Sequence, residues 1–445
     1  MKRTVLHELK KWKSDTRHKP LLIRGARQVG KTYIVRQFSK EFKDYVEVNF
    51  ELYPEAKKIF EHDLDPERII RDLSAFTRKK ITPGDSLLFF DEIQEAPVAI
   101  SALRYFYEML PQLHVIAAGS LLDFELENIG LPVGRVASIY MHPLSFMEFL
   151  AAKNEGLLIE TMLDHDETSE LNEALHNKLL LLLGEYMTVG GMPEAAASFV
   201  ENSDFNRCFK IHRTIIDAFR QDFHKYANKY QVKYVELLFN SIPGFLGKKF
   251  KYSNIPGEYR KRELMPALEL LVKAGVAARI IHSSGQGIPL AAAAKEELFK
   301  VFFLDIALSQ SVLGSDMASW LLDPKITFVN KGGLTEAFVG QELLAYSTPD
   351  RKNDLFYWQR EERASNAEVD YLIQDKDIII PIEVKSGGAG HLKSLRLFLD
   401  EHAKSPYGVR FSVSNFFIDN DIRSYPLYAV VKLVSQGSSL IRSLL

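Results

Sequence analysis

Cysteine is almost missing: Cys208 is the only one among 445 residues. An intrachain disulfide and a cysteine-built zinc site are therefore excluded, and a reducing, cytoplasmic setting is expected. Long apolar runs are missing too. The longest, such as residues 179–183, fall far short of the ~18 residues of a membrane-spanning helix, so no membrane association is expected. Residues 1–19 mix charged and apolar side chains without the unbroken apolar stretch of a signal peptide. A strong charge of either sign is also lacking. Lysine and arginine number 56 against 58 aspartates and glutamates, a net charge of −2, so nucleic-acid binding would have to rely on local basic patches.

What is present is ample material for packed cores: 46% hydrophobic, 11% aromatic and 26% charged residues, all ordinary globular values. Single cores stop growing near ~250 residues, so a chain of this length is expected to hold more than one domain.

Near the amino end, residues 20–24 form a short apolar run and residues 31–42 carry helical spacing, with Ile34, Val35 and Phe38 on one side. Between them stands Gly25-Ala26-Arg27-Gln28-Val29-Gly30-Lys31-Thr32, which matches G-x-x-x-x-G-K-[ST] in the strand-to-helix setting the motif requires. Gly25 and Gly30 permit the backbone to curl so that successive N–H groups point at phosphate oxygens. Lys31 is expected to reach the β and γ phosphates, and the Thr32 hydroxyl to ligate Mg²⁺. ATP with Mg²⁺ is the ligand these residues imply.

Ser86-Leu87-Leu88-Phe89-Phe90-Asp91-Glu92 reads as a strand buried on both faces and ending in two acids. In an open α/β sheet that end is where ligands bind, so Asp91 suits the metal and Glu92 the attacking water. Residues 45–50 and 113–119 supply further strands, and alternation with helical segments implies a parallel sheet. The extra strand at 45–50 places the sequence among P-loop ATPases with an added strand and a catalytic glutamate. Ser120 then falls at the sensor position beside the γ phosphate, although a small polar residue there also serves as a turn or cap. Arg135 could supply charge to the γ phosphate, in cis or in a neighbouring copy of a homo-oligomer, or could be a plain surface arginine. Arg27 is a similar case within the loop.

Further along, residues 170–240 read as mostly helical. Residues 234–281 combine short helices, glycine and proline breaks and a strand-like end, which suits a winged helix. Lys248, Lys249, Lys251, Arg260, Lys261 and Arg262, with Tyr252 and Tyr259 interleaved, form a basic cluster able to meet DNA or RNA phosphates or simply to stay solvated. Residues 368–373 and 378–385 read as a hairpin whose alternation sets Glu383 and Lys385 on one face, with Asp370 across the pair. A helix over 334–344 offers Glu336 and Glu342, of which Glu336 is favoured as the fourth group. Asp370, Glu383 and Glu336 suit a metal, and Lys385 suits a phosphate-directed hydrolysis. The same residues also suit a nuclease-like fold kept only for binding.

Taken together, Gly25 to Thr32, Phe90-Asp91-Glu92-Ile93-Gln94, Ala118-Gly119-Ser120, Pro143-Leu144-Ser145-Phe146, Gly190-Gly191-Met192-Pro193-Glu194 and Ile382-Glu383-Val384-Lys385-Ser386-Gly387 resemble a family of archaeal and bacterial AAA-type ATPases. The resemblance implies an α/β P-loop NTPase core over 1–155, a helical lid and linker over 156–233, a winged helix-turn-helix over 234–325 and a restriction-endonuclease-like α/β domain over 326–445. Two activities fit this plan. One is an ATPase whose nucleotide state governs engagement of nucleic acid, with a metal-dependent nuclease-like end. The other is a nucleotide-gated scaffold without nuclease action.

Overall fold

The structure is a computed structural model and describes residues 1–130, 134–315, 323–361, 367–385, 392–434 and 437–445. Its first sheet consists of β1 (Leu21–Arg24), β2 (Asp44–Asn49), β3 (Ser86–Asp91), β4 (His114–Ala118) and β5 (Ala137–Tyr140), ordered β2-β3-β4-β1-β5. All neighbours are parallel. Parallel strands need crossovers, and the helices Lys31–Phe38, Pro66–Thr77, Pro97–Met109 and Leu122–Ile129 supply them.

Because side chains alternate across a strand, β3 feeds two cores. Leu88 and Phe90 join Phe50, Phe60 and Phe106 on one face. Leu87 and Phe89 join Ile34, Phe38 and Trp12 on the other, where the N-terminal helix Val5–Ser14 packs. Every residue of β3 and β4 is buried, which explains the apolar runs 87–90 and 115–118 within them.

Helices then dominate from Phe146–Ala152 through Gly156–Asp164, Glu173–Val189, Pro193–Asn202, Phe205–Tyr226 and Val232–Ser241 to Lys261–Lys273. The last leads into an antiparallel pair, β6 (Ala277–Ser283) and β7 (Ala294–Phe303).

That pair belongs to a larger sheet. With β8 (Leu355–Gln359), β9 (Glu368–Asp375), β10 (Ile378–Val384), β11 (Gly408–Ser412), β12 (Phe417–Asp419) and β13 (Ile422–Pro426) it forms eight strands ordered β12-β13-β11-β10-β9-β8-β6-β7. β6 runs parallel to β8, with Ile280 opposite Leu355. One sheet therefore spans the division expected at residue 325, and β6 and β7 pack as an extension of the C-terminal layer. β9 and β10 form a hairpin with Tyr371 opposite Ile382, and Lys376 in the turn takes the left-handed φ of 52°. The helix Gly332–Tyr346 buries Phe338, Val339 and Leu343 in the same core as Tyr371 and Ile380. The helix Lys393–Glu401 packs Leu395 and Phe398 in a separate core with Leu372 and Ile379.

Candidate functional site

The phosphate loop leaves β1 through a chain of unusual backbone angles: φ is 142° at Gly25, 65° at Gln28 and 96° at Gly30. Gly25 is required on a second count, because a Cβ there would lie 2.3 Å from the Met141 carbonyl oxygen. The helix Lys31–Phe38 starts at Gly30 with no side-chain cap. Its first N–H groups and the positive end of its dipole therefore face the loop, the arrangement that receives an anion.

The Lys31 ammonium, only 8% exposed, folds onto the loop and donates to the carbonyls of Gly25 at 2.9 Å and Ala26 at 2.8 Å. Burial pushes it down to about 8, even with Glu92 and Asp91 acting the other way. Thr32 Oγ1 donates to Asp91 at 3.2 Å from both carboxylate oxygens, and Asn49 Nδ2 donates to Asp91 Oδ2 at 3.1 Å. Burial and the neighbouring charge of Glu92 raise Asp91 above the ordinary carboxylate range. Glu92 adopts a left-handed φ of 49° and accepts a 2.6 Å bond from Gln94 Nε2. Gly119 leaves room for Gln94, whose Oε1 would lie 2.0 Å from a Cβ there. Gln28 Oε1 and Gln94 Oε1 are buried without a hydrogen-bond partner, acceptors that a donor such as a bound water would satisfy.

Thus Lys31, Thr32, Asp91 and Glu92 converge. Ser120 lines a cavity of about 290 Å³ that opens beside Gly25, Arg24, Asp123 and Gly275. Ala26 is held against Gly275, where an added Cβ would come within 3.2 Å of the Ala26 nitrogen. Val29 accepts a 3.0 Å bond from Arg3 Nη1. Arg27 turns instead toward the helix Phe205–Tyr226, where Nη1 meets both oxygens of buried Asp222 at 2.6 and 2.7 Å. Arg135, 46% exposed, pairs with Glu108 at 3.1 Å rather than with any residue of the loop.

Sequence reasoning missed Asn49 and Asp222, and it named Gln94 within the Phe90–Gln94 motif without giving it a role. Asn49 emerges only from register, since it stands opposite Asp91 in the β2–β3 pair. Asp222, two residues after Arg220 on an otherwise apolar helix face with Phe219 and Phe223, does carry a signal: an acid there needs a partner.

The second group of candidates lies on the eight-stranded sheet. Continuing the β9–β10 register sets Asp370 opposite Glu383, and Glu368 on the same face as Asp370. Asp370 Oδ2 accepts from the Val384 N–H at 2.8 Å, and Lys385 forms an ion pair with Glu383. Glu336 arrives from the helix Gly332–Tyr346. Lys300 of β7, not foreseen, enters among them: its ammonium lies 2.8 Å from Glu336, 2.5 Å from Glu368 and 3.6 Å from Asp370. A single lysine inside the apolar run Phe299-Lys300-Val301-Phe302-Phe303 was the available clue. Burial, with Asp370's charge next, raises Glu336 to about 7 and Glu383 to about 8. Among the described residues, no three or more His, Cys, Asp or Glu side chains stand in position to hold a metal ion. Of the basic cluster, Lys249 pairs with Glu368 at 3.1 Å, while Lys248, Lys251, Arg260, Lys261 and Arg262 are exposed.

Residues 17–150 match a family model described as an AAA domain. Residues 181–319 and 331–430 match two models described as domains of unknown function, DUF8612 and DUF4143. No curated protein matches the chain. Solved structures with some similarity include a Walker-type ATPase of Pyrococcus abyssi, 17% identical over 69% of this chain and 94% of that one, with a TM-score of 0.44. Another is the Orc1 protein of Aeropyrum pernix in complex with DNA, 14% identical over 71% of this chain and 93% of that one, with a TM-score of 0.23. The N-terminal unit is accordingly an AAA-type domain built on a parallel P-loop sheet. Among the described residues, no helix is long and apolar enough to cross a membrane.

Proposed function

We propose that the chain binds and hydrolyses ATP at residues 25–32, and that nucleotide state governs how the helical and C-terminal parts engage a partner, with DNA or RNA the class favoured. The supporting observation is the meeting of Lys31, Thr32, Asp91 and Glu92 around a loop with three left-handed residues. On this reading the backbone N–H groups of Gly25 to Thr32 hold the phosphates, and Lys31 exchanges its carbonyl partners for phosphate oxygens. Thr32 and Asp91 hold Mg²⁺, which when bound draws charge from the β and γ phosphates. Glu92, oriented by Gln94, holds the attacking water and accepts its proton; Ser120 contacts the γ phosphate. Arg27 reaches the nucleotide only after parting from Asp222, and Arg135 acts from a neighbouring copy of a homo-oligomer.

The helices over 156–233 act as a lid, and residues 234–325 as a winged helix-turn-helix whose exposed Lys248, Lys251, Arg260, Lys261 and Arg262 face nucleic-acid phosphates. The C-terminal strands form a restriction-endonuclease-like layer. In a nuclease, Glu336, Asp370 and Glu383 would ligate metal and Lys385 would meet the scissile phosphate. The ammonium of Lys300 among these acids favours the second reading, a nucleotide-gated scaffold that binds without cutting.

The test is ATP turnover with and without DNA or RNA, in the wild type and in Lys31→Ala and Glu92→Gln. Turnover should vanish in both variants and respond to nucleic acid in the wild type; wild-type rates in Lys31→Ala would refute the phosphate site. Strand cleavage that disappears in Asp370→Ala and Glu383→Ala would favour the nuclease over the scaffold.

A further inference from the structure

Charge is balanced over the whole chain but not locally. Residues 229–263 hold eight lysines and arginines against three glutamates, in a chain whose net charge is −2. Lys229, Lys233, Lys251, Arg260, Lys261 and Arg262 are exposed, and among the described residues none of the six is in an ion pair.

A solvated face needs charge alone, and this one also carries rings. The helices Val232–Ser241 and Lys261–Lys273 bring their first turns together: the Tyr234 hydroxyl donates to Glu263 at 2.8 Å, and the Tyr234 and Tyr259 rings meet edge to face at 5.8 Å. Tyr259 lies on the backbone of Gly257, where φ is 110° and a Cβ would come within 2.4 Å of the ring. The ring is thus fixed over a position with no room for a side chain, while 39% of the residue stays in solvent. The Lys233 ammonium is 4.6 Å from the Tyr234 ring and that of Lys261 is 5.9 Å from the Tyr252 ring. Tyr230, in the turn that leads into the helix Val232–Ser241, is 83% exposed. Exposed rings interleaved with unpaired cations can stack bases and hold the phosphates between them.

The rest of the helix Lys261–Lys273 does not suit a duplex. A helix that reads base edges in the major groove offers arginine, asparagine or glutamine along its exposed side. Here the exposed cations, Lys261 and Arg262, stand at the helix start, and past the first turn the one exposed residue is Met265. Half-buried Glu269 is held by Arg279. Glu263 has both oxygens engaged, by the Tyr234 hydroxyl and the Arg260 N–H, which leaves it no part in recognising a ribose 2′-hydroxyl.

We propose that this face is a site for single-stranded DNA: one base stacks on Tyr259 and another on Tyr230, and Lys233, Lys251, Arg260, Lys261 and Arg262 hold the backbone. The inference rests on the nucleic-acid reading given above and narrows it to unpaired DNA. Every base has a face to stack, so binding is tolerant of sequence.

The experiment is fluorescence anisotropy of the full-length chain with labelled oligo-dT of about 20 nucleotides, a duplex of the same length and oligo-rU of the same length, each without nucleotide and with ATP and Mg²⁺. Oligo-dT should bind at least tenfold tighter than the duplex, and oligo-rU no tighter than oligo-dT. Tyr259→Ala should weaken oligo-dT binding about tenfold or more, and Tyr259→Phe should restore it, because the ring and not the hydroxyl stacks. Tyr230→Ala gives a second loss at a residue with little packing to disturb. Arg262→Gln should flatten the dependence of log affinity on log salt by about 0.7. Tyr259→Ala and Tyr230→Ala chains that melt as the wild type does and bind oligo-dT equally well overturn the proposal, as does a duplex or an RNA bound tenfold tighter than oligo-dT. Tight duplex binding untouched by Tyr259→Ala would remove this inference and leave the nucleic-acid reading standing. No binding of any of the three probes, in either nucleotide state, would remove that reading as well.

Discussion

Lys31→Met should do two opposite things: abolish nucleotide binding and stabilise the nucleotide-free fold. The second effect follows from the state of the ammonium. Burial brings it from 10.5 to about 8, so holding it charged costs the folded chain about 3 kcal/mol. Methionine removes that cost. It also leaves the carbonyls of Gly25 and Ala26 without their donor, at about 1–2 kcal/mol in total. At pH 7 the variant is expected to gain about 1–2 kcal/mol in the N-terminal unit, or roughly 2–6 °C in its melting transition. The sign then changes with pH. Between pH 8 and 10.5 the unfolded lysine keeps its proton while the folded one has released it, so wild-type stability rises with pH across that window. The methionine variant lacks this gain, and above about pH 10 it should melt below the wild type. Differential scanning fluorimetry from pH 6.5 to 10.5 without nucleotide measures the crossing, and added ATP and Mg²⁺ at pH 7 should raise only the wild type. A variant that melts lower at every pH, by a constant margin, would show that Lys31 is a structural contact and not a strained phosphate ligand.

Two further outcomes test the surroundings of the loop. Asp222→Asn keeps the shape of the side chain but removes the charge that holds Arg27. With Arg27 36% exposed in that pair, the loss of stability should be small, about 1 kcal/mol or less. The freed guanidinium should raise affinity for ATP about 3- to 10-fold in a fluorescent-nucleotide titration; unchanged affinity would mean that Arg27 plays no part in phosphate binding. Glu342→Gln addresses a fully buried acid that burial raises to about 8. A raised carboxyl favours the fold below its unfolded value near 4.5 and loses that advantage as pH climbs through 8. Wild-type stability should fall by on the order of 2–4 kcal/mol between pH 5 and 8.5, and the glutamine variant should stay flat; identical slopes in chemical denaturation would refute the assignment to Glu342.

How much of this was legible beforehand divides along the distance over which each feature is encoded. The phosphate loop is written in eight consecutive residues, and β3 in six followed by an acid, so Lys31, Thr32, Asp91 and Glu92 could be read directly. The β9–β10 hairpin is equally local, because alternation and a short turn fix it. Asn49 required knowledge that β2 lies beside β3, which no local pattern carries. Arg27 could be named but its partner could not, since Asp222 lies on a helix folded back from far along the chain. The same limit hid the continuity of the larger sheet: β6 and β8 are separated by more than seventy residues, and the pattern of each alone is only that of a strand. Lys300 sat in plain view as one charge in an apolar strand, yet its three acids are spread over β9 and a distant helix.

The back of the phosphate loop is tied by hydrogen bonds to the helix that carries Glu336. Arg3 donates to the Val29 carbonyl and, at 2.7 and 3.1 Å, to the His142 carbonyl and the Glu148 carboxylate. Glu148 closes the capping box at Ser145, which starts the helix Phe146–Ala152. The next N–H, that of Phe146, donates to both oxygens of Glu342 at 3.0 and 3.1 Å. Glu342 lies six residues beyond Glu336 on the helix Gly332–Tyr346, about 9 Å along its axis. Each member of this chain is buried or nearly so, and buried hydrogen bonds resist stretching because water cannot replace the lost partner. On the proposed function, a shift of Val29 as the loop closes on phosphate would load the Arg3–Glu148 contact and, through the helix start, the anchor of Glu342. On the proposed function, that mechanical continuity is what allows nucleotide at one sheet to alter the seat of Glu336, and with it the grip of Lys300, at the other.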